Sequence, residues 1–92
     1  MNNIVPTIGR IVIYNTTEAE RKILKNQGCN EQTQLPALIV SVWGDQPGSA
    51  VNLRVTVDGP NPSDFWKTSL SHGTANEAGV YPEGSWNFPV IK

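Results

Sequence analysis

The chain has 92 residues, 38% of them hydrophobic and 16% charged. That length suits one small domain over residues 1–92, because a single core organises roughly 100 to 200 residues, and the composition is too apolar and too weakly charged for a disordered chain. No apolar run approaches the ~20 residues that span a bilayer. Seven Lys and Arg against eight Asp and Glu leave a formal charge of -1, without the basic face that would hold long nucleic acid.

The first strand is expected at Arg10 to Tyr14, where RIVIY follows Gly9 and sets Ile11 and Ile13 on one side, Val12 and Tyr14 on the other. The period then changes. Thr17 and Glu20 form the residue pair of a capping box, Glu18 and Glu20 favour a helix start, and Arg21, Lys22 and Lys25 come later. Gly28 stands where a left-handed cap belongs, so a short surface helix is expected over Glu18 to Asn26. Its basic residues read as a solvated face.

From Leu35, LPALIVSVWGD reads as a central bent strand, with Pro36 tolerated only near its beginning. A turn at Gly44 to Ser49 leads to AVNLRVTVDG, which alternates with period two: Val51, Leu53, Val55 and Val57 inward, Asn52, Arg54, Thr56 and Asp58 outward. DGPNPSD breaks the pattern, FWKTSLS gives a fourth strand, and SWNF a last short one. The connection from His72 to Gly84 is long for a compact domain, and connections of that length are often functional. Five short strands with a helix after the first predict an all-β fold with a small α insertion, a compact SH3-like five-stranded β-barrel. So small a core gains from association, and a homo-oligomer is expected.

The residues for catalysis are missing. There is one histidine, one cysteine, no CxxC, HxxxH or HExxH, and no Gly-rich phosphate loop ahead of a helix, so neither a catalytic residue, a metal site nor a cofactor is expected. Binding has better material. Trp43, Trp66 and Trp86, with Tyr14, Tyr81, Phe65 and Phe88, exceed what a small barrel readily encloses. Each indole either fills the interior, Trp43 and Trp86 plugging the two barrel ends, or offers a flat face on which a nucleobase stacks. Arg54 and Arg10 can each fork two N–H donors onto a phosphate, the alternative for Arg54 being a surface ion pair with Asp58 or Asp45. Lys67, Thr68, Ser69 and Ser71 place donors beside His72, suited to phosphate or ribose, although they also suit the polar face of an edge strand. The candidate ligand residues are therefore Arg10, Tyr14, Trp43, Arg54, Trp66, Lys67, Ser69, His72 and Trp86.

The segments GRIVIY, LPALIVSVWGD, VNLRVTVDG, FWKTSL and GSWNFP, in that order, resemble a widespread family of small tailed-phage proteins. The likeness covers most of the chain apart from Glu18 to Thr33 and His72 to Glu83. The family pattern often has histidine where this chain has Ile13, and tryptophan-histidine-tryptophan-proline where it has Trp86, Asn87, Phe88 and Pro89, so no imidazole role carries over to those positions. Such proteins are similar to viral sponges that sequester the cyclic nucleotide signals of bacterial immunity, those of CBASS and Thoeris systems. The resemblance implies a chain acting in the host cytoplasm on a second messenger such as 3′3′-cyclic GMP-AMP, without membrane or long nucleic acid as partner and without catalysis. The alternative is a phage structural or accessory protein, or a protein-binding inhibitor module with an exposed aromatic surface. The start MNNIVPTIGR lacks the pattern of a signal peptide, and one cysteine, Cys29, forms no internal disulfide; both fit a reducing cytoplasm.

Overall fold

The computed structural model describes residues 4–59 and 64–89. Within them lie β1 (Ile11–Asn15), α1 (Glu18–Asn26), β2 (Gln34–Val42), β3 (Val51–Val55), β4 (Phe65–Leu70) and β5 (Trp86–Asn87). The strands form one antiparallel sheet in the order β4-β3-β2-β1-β5, curled into a half-barrel. Beyond β4, His72 forms a parallel bridge to Trp86, with Trp86 N–H donating to the Ser71 carbonyl at 3.2 Å and Gly73 N–H to the Trp86 carbonyl at 2.8 Å. Those bonds draw the end of β4 toward β5. Of the break expected at DGPNPSD, residues 60–63 lie outside the described residues. No described helix is long and apolar enough to cross a membrane.

The inner face of the sheet is the core. Val12 and Tyr14 of β1, Leu35, Ala37 and Ile39 of β2, Val51, Leu53 and Val55 of β3, and Trp86 of β5 are buried. In β3 the alternation read from the sequence holds, with Val57 still buried beyond the strand's end.

Helix α1 meets this core through Leu24, its one buried residue. Thr17 Oγ1 accepts from the Glu20 N–H and the Glu20 carboxylate accepts from the Thr17 N–H, the reciprocal cap that residue spacing predicts. At the other end Gly28 takes φ 78°, and the N–H groups of Gly28 and Cys29 reach the Lys25 and Leu24 carbonyls at 3.1 and 2.9 Å. This is a Schellman ending, and it turns Cys29 back into the core beside Leu24.

Two irregularities bend the sheet at one level. The β2–β3 register shifts between Ile39 and Ser41, and the β3–β4 register shifts between Val51 and Leu53, so bulges in both neighbouring strands flank Asn52. The bulge in β4 places Ser69 at φ 54°, a left-handed conformation that a non-glycine residue adopts at a cost.

Candidate functional site

Directly opposite residues of antiparallel strands share a face of the sheet. Ile11 pairs with Leu38, Leu38 with Arg54, and Arg54 with Trp66, so four side chains form one row across the outer surface. Three of them are large apolar groups left open: Ile11 is 54% exposed, Leu38 38% and Trp66 56%. Arg54, also exposed, stands among them, and no carboxylate pairs with it among the described residues. The ion pair with Asp58 or Asp45 that the sequence allowed is not formed there.

Trp43 joins this surface from the loop after β2. Its indole N–H donates to Asn52 Oδ1 at 2.9 Å, and Asn52 lies two residues before Arg54 on the same side of β3, about 7 Å along a strand. The same oxygen accepts the Ser69 backbone N–H at 2.8 Å. One carboxamide therefore ties the β4 bulge and the Trp43 ring together, and Asn52 becomes buried although its side chain faces outward. Trp43, which the sequence also allowed as a barrel plug, is 62% exposed.

The other expected ligand residues divide between core and surface. Trp86 is wholly buried, with His72 and Phe88 meeting it edge-on at ring-centroid distances of 4.8 and 5.2 Å. Tyr14 is equally buried and its hydroxyl donates to the Glu20 carboxylate at 2.8 Å. Both serve the interior and present no face to a ligand. Lys67 is engaged as well, its ammonium 2.8 Å from Glu20 Oε2. Arg10 lies over the Phe88 ring, 4.9 Å from its centroid, and remains exposed. Ser69 is exposed at the rim of the Asn52 cluster, while His72 is half-buried against Trp86.

The Tyr14–Glu20–Lys67 cluster has a definite charge state. Burial works against the Glu20 carboxylate, but hydrogen bonds from Lys67, the Thr17 backbone and Tyr14 outweigh it and hold the carboxyl below its ordinary value. Burial, reinforced by the Glu20 carboxylate, pushes the Tyr14 phenol well above its ordinary range. Glu20 and Lys67 of this cluster also line a cleft of about 430 Å³ between α1 and the start of β4, together with Ile23, Leu24, Phe65 and Trp66 and the polar Gln27 and Asp64.

Sequence reasoning missed Asn52, Gln34 and Asn87 as organising side chains. Nothing in a single sequence marks an amide that bonds across strands. No family model, curated protein or solved structure matches this chain.

Proposed function

We propose that this chain is a non-catalytic capture protein of a tailed bacteriophage. It binds a cyclic nucleotide signal of anti-phage defence in the host cytoplasm and withholds it from its receptor. The observation that carries this reading is the outer face of β3, where Arg54, without a carboxylate partner among the described residues, has the exposed Trp66 opposite it and the exposed Trp43 one outward position away. A guanidinium forks onto a phosphate, and a free indole face stacks a base for roughly 1 to 3 kcal/mol.

The strand order, together with the His72–Trp86 bridge, supports reading the half-barrel as an SH3-like closure. A sheet face is open on one side, so enclosing a dinucleotide calls for a second copy, and a two-fold ligand suits a two-fold interface. Competing with a receptor at nanomolar affinity requires about -12 kcal/mol, more than one stacked base and one phosphate contact supply. Purified protein titrated with 3′3′-cyclic GMP-AMP and related signals should bind one of them and release it intact on heating. Unaltered nucleotide mobility across the panel, or recovery of a cleaved product, contradicts the reading.

The cleft between α1 and β4 favours a second reading, a phage accessory or inhibitor module that docks on protein, since Ile23, Leu24, Phe65 and Trp66 give it apolar walls between charged groups and β4 is an edge strand of the sheet. In that case Trp66→Ala abolishes a pull-down while nucleotide titrations stay flat.

A further inference from the structure

Away from the aromatic row, three hollows adjoin one another around Tyr81, in the long connection between β4 and β5. The largest, about 480 Å³, has Gln34 and Asn87 in its lining with Ile13 and Pro89 beside them. That volume falls in the range of small-molecule sites, roughly 300–1,000 Å³. Tyr81 is half-buried and stacks on no other ring among the described residues. The loop carrying it is braced: Asn76 Oδ1 accepts the N–H groups of Ala78 and Val80, and the Asn76 N–H donates to the Val80 carbonyl.

The polar side of this trough is an ordered chain of carboxamides. Asn15 Nδ2 donates to the Ser85 carbonyl at 3.1 Å and to Asn87 Oδ1 at 2.8 Å, and Asn87 Nδ2 donates to the Phe88 carbonyl at 3.0 Å. Gln34 Nε2 donates to Asn15 Oδ1 at 3.0 Å. Because backbone carbonyls accept from Asn15 and Asn87, neither amide can flip without setting oxygen against oxygen, and this fixes the orientation of Gln34 in turn. A primary amide has two N–H donors and one carbonyl acceptor. Gln34 therefore keeps its Oε1 and one N–H without a protein partner among the described residues, and the buried Asn87 keeps one N–H. An adjacent acceptor and donor held in one plane beside a free aromatic ring match the N6-amino and N7 edge of adenine.

We propose that the Tyr81 trough is an adenine-binding site, in which Tyr81 stacks on the base and the Gln34 amide reads its N6 and N7, with Asn87 offering a further donor. The site is separate from the Trp66 row and stands whether or not that row holds a nucleotide. Guanine sets its O6 acceptor against Gln34 Oε1, so adenine is preferred by about tenfold or more.

The test is a titration of the full ¹⁵N-labelled chain with AMP, GMP and ribose 5-phosphate, following the side-chain amide signals of Gln34 and Asn87. AMP should shift both signals, GMP should need at least about tenfold higher concentration, and ribose 5-phosphate should leave them unmoved. Tyr81→Leu keeps bulk at a side chain that makes no hydrogen bond among the described residues, and should weaken the AMP response, whereas Trp66→Ala should leave it intact. Absence of any shift with AMP, equal responses to AMP and GMP, a response to ribose 5-phosphate, or an undiminished response in Tyr81→Leu overturns the proposal. Loss of the AMP response in Trp66→Ala overturns the separation of the two sites.

Discussion

Replacing Asn52 with alanine removes a single oxygen that accepts two hydrogen bonds, from the Trp43 indole at 2.9 Å and from the Ser69 backbone at 2.8 Å. Each bond contributes about 1 kcal/mol, and the Ser69 N–H loses the partner that offsets its left-handed backbone, so Asn52→Ala should destabilise the fold by about 2–3 kcal/mol. For a domain of this size that corresponds to a fall in Tm of about 10–20 °C. Denaturant unfolding followed by tryptophan fluorescence measures the loss, and the emission of the released Trp43 should move to longer wavelength. Asn52→Asp keeps the acceptor oxygen beside Arg54 and should lose less than half as much. Ser69→Gly removes the backbone cost, so its effect should be more favourable in the Asn52→Ala background than alone. An Asn52→Ala protein within about 0.5 kcal/mol of wild type, the range of an ordinary surface substitution, refutes the role assigned to Asn52.

Gly28→Ala puts a Cβ at φ 78° and should cost about 1 kcal/mol in the same unfolding assay, with helix α1 losing its ending. Trp86→Ala empties the largest fully buried side chain and should cost about 3–5 kcal/mol, a large share of the ~5–15 kcal/mol that keeps a domain folded, read as a lower denaturation midpoint. Because the Glu20 carboxyl is held low in the fold, its contribution is present above the unfolded value near 4.5 and is lost as pH falls through the folded value; Lys67→Met should raise that folded value, read by carboxyl-carbon NMR. The Tyr14 phenol is raised, so its contribution is complete below pH 10.0 and is lost as pH rises through the folded value; alkaline melting curves should show that loss, and Tyr14→Phe should lack it.

Local chemistry was legible where the cause is local. The Thr17–Glu20 cap and Gly28 fix α1 at Glu18–Asn26, as the sequence predicts, because both signals act within a single turn. The alternation in VNLRV fixes the inward set of β3 in the same way. In RIVIY both sides are apolar, and only packing against β2 and β5 decides that Val12 and Tyr14 go inside while Ile11 stays open. Trp43 and Trp86 are alike in sequence, yet one is sealed by β1 and the other held outside by Asn52, a distinction made by two bulges without a sequence signature. Strand ends also moved: the β3 ladder stops at Val55, although the alternation continues to Asp58. The Tyr81 trough depends on Asn15 meeting Gln34 and Asn87, 19 and 72 residues away, which no window along the chain reveals.

The capture reading is tested most directly by the dissociation constant of an unmodified cyclic dinucleotide for the wild-type chain and for Trp66→Ala with Arg54→Gln, measured by calorimetry alongside the mass of the complex. Tight binding by an oligomer is expected, with a loss of at least about tenfold in the double variant while its melting curve is retained, and the same nucleotide recovered afterward. Equal affinities in the two proteins, or binding by a single copy with the outer face of β3 still open to solvent, contradict it.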